Sequence, residues 1–182
     1  MENALVKKFK WFWAWQDEAE EAWLGEMSKK GYHLSSVGVA GIYTFFIDEP
    51  RDYVYRLDYR MFPKKDKQEY LQLFRDAGWE YIGEMSTWQY FRKHAKHGEA
   101  NEIFTDAESK IAKYTRILTF LGFFWIVLVA VLVGRISRIS VENPYPWWGV
   151  IDGIQLFTFL VFLLFTYIII RLATRIRQLK RL

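Results

Sequence analysis

The sequence predicts an α+β domain built from two βαββ units, forming an antiparallel-rich sheet with two helices on one face, followed by a juxtamembrane helix and a two-helix transmembrane hairpin. Three observations predict it. Period-two apolar strands alternate with capped helices over about the first hundred residues, and their order repeats. Two uncharged apolar runs follow, Ile117 to Gly134 and Gly153 to Ile170, each of 18 residues. Charge divides at the same place: residues 1–109 hold 15 Lys/Arg and 19 Asp/Glu, whereas residues 110–182 hold 10 and 2.

The first unit spans about residues 8–47. From Lys8 to Trp15, Phe9, Trp11, Trp13 and Trp15 alternate with Lys8, Lys10, Phe12 and Ala14, which predicts a strand with one aromatic face. Asp17 with Glu20 three residues on reads as a capping box, and Lys29, Lys30 and Gly31 close the helix it starts. Tyr32 to Val39 and Ile42 to Ile47 read as two strands joined through Gly38 to Gly41.

The second unit spans about 53–94. Tyr53, Tyr55, Leu57, Tyr59 and Met61 alternate with polar neighbours, and Pro63 breaks the strand. Asp66 and Glu69 read as a second capping box, and Gly78 ends the second helix. Trp79 to Met85 and Trp88 to Lys93 are the last strands. At an offset of 47, Trp23 falls on Tyr70, Leu24 on Leu71, Met27 on Phe74, Gly31 on Gly78 and Tyr32 on Trp79. The first strands match at an offset of 46, where Leu57, Tyr59 and Met61 answer Trp11, Trp13 and Trp15. A domain of residues 1–98 results, with a linker and juxtamembrane helix over 99–116, where Thr105 and Glu108 form a third capping box.

Each apolar run holds 13 Leu, Ile, Phe or Val and no charge. Eighteen residues of helix cover roughly 27 Å, about one hydrocarbon core, and a soluble core helix would normally keep a polar stripe. The predicted spans are 117–134 and 153–170, with an external loop over 135–152 and a basic tail over 171–182. Lys110, Lys113 and Arg116 precede the first span and Arg171, Arg175, Arg177, Lys180 and Arg181 follow the second, against Arg135 and Arg138 between them. The bias places both termini in the cytoplasm. Trp147 and Trp148 then fall in the outer headgroup belt, with Arg171, Arg175 and Arg177 at the inner interface. The first residues lack the apolar core of a secretory signal.

Chemistry is excluded more readily than assigned. No cysteine is present, so thiol catalysis and Cys-ligated zinc are ruled out. No phosphate loop, dinucleotide fingerprint, nucleophile elbow or His-Glu-x-x-His pattern occurs. His94, His97 and Glu99 read as a solvated exit from the last strand rather than a metal site, and Glu80 and Glu84 as solvent-facing charges. No catalytic residue, metal or cofactor is expected, and the acidic domain argues against nucleic acid. The outstanding feature is the 19% of Phe, Trp and Tyr. Most of these rings are expected in the core, whereas Trp11, Trp13 and Trp15 are candidates for a binding surface.

The motifs Phe9-Lys10-Trp11-Phe12, Glu21-Ala22-Trp23-Leu24, Lys30-Gly31-Tyr32, Tyr53-Val54-Tyr55-Arg56-Leu57-Asp58 and Phe74-Arg75-Asp76-Ala77-Gly78-Trp79-Glu80 resemble the bacterial family catalogued as domain of unknown function 2812. That resemblance implies a cytoplasmic domain with a C-terminal pair of spans in a bacterial cell membrane, and a regulatory or envelope-response role by association. The expected function is a membrane-anchored interaction or sensing module whose partners are the lipid bilayer and a protein, with a homo-oligomer also compatible. The alternative is an accessory subunit of a membrane transporter complex.

Overall fold

The computed structural model describes residues 5–61, 66–95, 107–136 and 148–180. Two compact units meet after Lys113. The first contains β1 (Leu5–Phe9), α1 (Asp17–Ser28), β2 (Tyr32–Val37), a short 3-10 turn at Val39–Gly41, β3 (Ile42–Ile47), β4 (Tyr53–Tyr59), α2 (Lys67–Asp76), β5 (Glu80–Met85) and β6 (Trp88–His94). The α+β class is as the sequence predicts. The strands, however, form two antiparallel sheets of three, ordered β1-β3-β2 and β4-β6-β5, where one sheet with both helices on one face was expected.

Large apolar residues on both faces of the second sheet explain the difference, because each face then needs a cover. Val54, Tyr81 and Phe91 turn to α2 and pack with Tyr70, Phe74 and Trp79. The alternate residues Tyr53, Tyr55, Leu57 and Tyr90 join Leu24 and Met27 of α1 with Leu34, Tyr43 and Phe45 of the first sheet in one core. Side chains also seal the free edge of β4. Ser28 Oγ accepts from the Tyr53 N–H at 3.3 Å, Glu21 accepts from the Leu57 N–H at 2.8 Å, and Lys113 Nζ donates to the Leu57 carbonyl at 3.3 Å. An edge strand is thereby closed without another strand.

The predicted first strand is corrected at its far end. β1 stops at Phe9, which pairs with Ile42, the first residue of β3, and the Lys10 N–H closes the ladder on the Gly41 carbonyl at 2.9 Å. Beyond that point no strand residue faces the chain. Trp11 to Gln16 therefore turns into α1, with the Gln16 N–H on the Trp13 carbonyl and the Trp13 N–H on Gln16 Oε1.

The capping boxes are corrected too. Neither Gln16, the N-cap of α1, nor Asp66, that of α2, makes a side-chain capping bond; Thr105 lies outside the described residues. The helix stops behave as read. Gly31 and Gly78 have φ of +82° and +81°, and a Cβ on Gly31 would stand 2.6 Å from the Asp48 carbonyl oxygen. Both sheets carry a bulge at matching places, between Leu34 and Ser36 and between Tyr81 and Gly83.

Helix α3 (Ala107–Ile136) is unbroken, and α4 (Trp148–Leu179) is its neighbour in the second unit. Trp125 stacks on Phe162 at 5.6 Å between centroids, and its Nε1 donates to Thr166 Oγ1 at 2.8 Å. That contact fixes the register of two otherwise apolar surfaces. The stretches Lys110–Gly134 and Gly153–Leu179 are long and apolar enough to cross a membrane, and 6% of each apolar window is buried within the protein. A soluble core helix would be mostly buried.

Candidate functional site

The tryptophans of the predicted binding surface come together although their strand does not form. Trp11 meets Trp13 edge to face at 5.8 Å, and Trp13 stacks on Trp15 at 5.3 Å with 4° between planes. Trp11 is 53% exposed and Trp13 37%, while Trp15 is half-buried. Phe12, pointing the other way, packs on Trp23 and Tyr43 and anchors the segment to the core. The result is an exposed ladder of indoles on a fixed base, able to take an apolar, aromatic or cationic group against its faces. The remaining aromatics go mainly to packing: Tyr53, Tyr55, Tyr59, Trp79 and Tyr90 are buried and Trp88 half-buried.

Beneath this surface lies a polar cluster that the capping reading missed. Asp17, Glu20 and Glu21 are all buried on one side of α1. Glu20 Oε1 accepts the hydroxyls of Tyr43 and Tyr90, each at 2.8 Å, tying the two sheets to one carboxylate. Asp17 pairs with Lys113, and Glu21 lies 3.4 Å from the Arg56 guanidinium. Burial pushes the Glu20 carboxyl up, against the two tyrosine bonds that pull it down. Burial pushes Glu21 up to about 8, opposed by Lys113 and Arg56. Both hydroxyls are held well above the usual tyrosine range, by burial first and then by the Glu20 charge, so they act as donors. A recurrence of 17, 20, 21, 24, 27 and 28 on one helical stripe was the signal available in the sequence. The cluster is a cross-tie, closed to any substrate.

The other candidates separate. Glu80 forms a two-point pair with Arg92, both contacts at 2.7 Å, and Glu84 pairs with Lys67 at 2.8 Å, as befits solvent-facing charges. His33 is buried, with Nε2 at 2.9 Å from the Glu49 carbonyl. His94 ends β6 against Tyr53, while His97 and Glu99 lie outside the described residues. Among the described residues no group of three His, Asp or Glu could hold a metal. An open groove beside α2 is lined by Gln68, Leu71, Arg75, Trp79, Glu80 and Tyr81 and holds no converging catalytic set. Of the predicted interface residues, Trp147 is outside the described part and Trp148 is the first residue of α4. Arg171 sits 5.7 Å from the Tyr167 ring; Arg171 and Arg177 are exposed, and Arg175 is half-buried.

The model of a family described as "Protein of unknown function (DUF2812)" matches residues 16–126. No curated protein and no solved structure matches the chain.

Proposed function

Given that the chain belongs to the family of unknown function DUF2812, we propose from its own geometry that it is a membrane-anchored interaction or sensing module, a binding rather than a catalytic protein. The observation that carries this reading is the exposed Trp11–Trp13–Trp15 ladder, held on a rigid base in a chain that also carries two long exposed apolar helices. Aromatic side chains of this kind dominate the energetics of protein interfaces. In this reading α3 and α4 cross a bacterial cell membrane, both termini are cytoplasmic, and the ladder takes a protein partner in a regulatory or envelope-response role. The two βαββ halves are read as a duplication, supported by the matching bulges and the two glycine stops.

The test is site-specific photocrosslinking from position 13 of the full chain in its native membrane. A discrete adduct whose yield falls at least tenfold with Trp11→Ala is expected; a featureless smear, or an adduct indifferent to Trp11, would sink the reading. The alternative is an accessory subunit of a membrane transporter complex, in which the exposed faces of α3 and α4 do the binding. Replacing residues 117–170 by an unrelated hairpin, with Lys113 kept, separates the two, because the alternative predicts that the adduct disappears.

A further inference from the structure

The first sheet has a second face, which α1 does not cover. On β1, Leu5, Lys7 and Phe9 point to it, and their ladder partners Phe46, Thr44 and Ile42 stand directly opposite. Leu5 is 66% exposed and Phe9 72%; Val39, in the turn entering β3, is 80% exposed. Such a patch of large apolar side chains calls for an occupant. Its charge is as distinctive as its hydrophobicity. Lys7 lies on this face, whereas Lys8 turns to the other face over Tyr32 and Lys10 lies over Phe12 and Trp23; no acidic residue stands on β1, β2 or β3. Edge-to-edge pairing with a second copy fits poorly: antiparallel pairing of two β1 edges about their centre would set Lys7 against Lys7, and like charges directly opposite are destabilising. An apolar surface with a negative rim fits well. Phe and Trp sink to the headgroup boundary, and each nearby lysine adds attraction to anionic lipid.

We propose that the exposed β1–β3 face, with Leu5, Phe9 and Ile42 as its apolar contacts and Lys7 as its central cation, docks on the anionic headgroup surface of a bilayer. The proposal rests on the membrane placement of α3 and α4, and is separate from the protein partner assigned to the tryptophan ladder. Docking would fix which side of the domain faces the lipid and leave the other sides to partners.

The chain has no native cysteine, so single spin labels can be placed in the full protein, reconstituted in nanodiscs of phosphatidylcholine with or without phosphatidylglycerol. Labels go at Phe9→Cys, at Glu26→Cys on the exposed side of α1, and at Phe157→Cys in α4. With phosphatidylglycerol present, the labels at positions 9 and 157 should be reached by oxygen and not by a water-soluble nickel chelate, and the label at 26 by the chelate. Lys7→Glu, or omission of the anionic lipid, should return the position 9 label to water. If the position 157 label is itself in water, the membrane placement fails. If position 157 is immersed and position 9 remains in water, or is shielded from both reagents, the docking proposal alone is overturned. Immersion at position 9 that survives both Lys7→Glu and neutral lipid overturns the headgroup assignment.

Discussion

Glu21 shows what burial does to a single side chain. Its carboxyl is held at about 8, above the ordinary carboxylate range, so the folded state binds the proton more tightly than the unfolded chain does. The contribution of Glu21 to stability is then fully present below about pH 4.5 and is lost as pH rises through about 8. Glu20 contributes with the same sign. Denaturant unfolding of the full chain in detergent should show a loss on the order of 1–3 kcal/mol between about pH 5 and pH 8. Glu21→Gln, which keeps an acceptor for the Leu57 N–H, should flatten that slope; an unchanged slope would place the titration elsewhere. The tryptophans obey the opposite logic. Trp11→Ala should cost less than about 0.5 kcal/mol, as exposed residues do. Trp13→Ala loses a stacking contact worth about 0.5–1.5 kcal/mol, whereas buried Phe45→Ala should cost about 3–5 kcal/mol. A Trp11 variant as damaged as the Phe45 variant would make that ring core.

The elements were readable wherever a local rule had no competitor. Gly31 and Gly78 were identifiable as stops because helix C-termini need a left-handed residue. Gly31→Ala, forced to φ of +82° and against the Asp48 carbonyl, should cost about 1–2 kcal/mol. Gly83→Ala, with no heavy atom within 4 Å of the new Cβ, meets no such clash, and comparing the two melting temperatures checks this. Legibility failed where two structures share one spacing. A capping box and a buried acid row both place carboxylates three residues apart, and Asp17 and Glu20 belong to the second because Lys113, Tyr43 and Tyr90 supply their partners. Lys113 is 96 residues from Asp17, beyond the reach of any local pattern. Lys113→Met, which removes the cation and leaves the buried acid, should cost about 3–5 kcal/mol, with Asp17→Asn added to recover part of it. Period two likewise cannot tell a strand from an extended segment that has run out of neighbours. The tryptophans still meet because the extended run puts Trp11 and Trp13 on the side opposite Phe12, and the turn closed by the Gln16 N–H on the Trp13 carbonyl brings Trp15 onto Trp13.

For the whole molecule, the division into an aromatic domain and two apolar helices was legible from composition, since uncharged runs of this length have few other uses. The split into two sheets was not, because it depends on which side of each strand finds a helix, a property of packing rather than of pattern. Everything proposed for function depends on α3 and α4 forming a membrane hairpin with the domain on its cytoplasmic side. Impermeant maleimide labelling of single cysteines in intact cells tests this arrangement most directly, with Glu26→Cys in the domain, Asn143→Cys between the two helices and Gln178→Cys near the end of α4. Labelling is expected at position 143 in intact cells, and at positions 26 and 178 only after lysis. Labelling at position 26 in intact cells, or protection of all three until lysis, would contradict it.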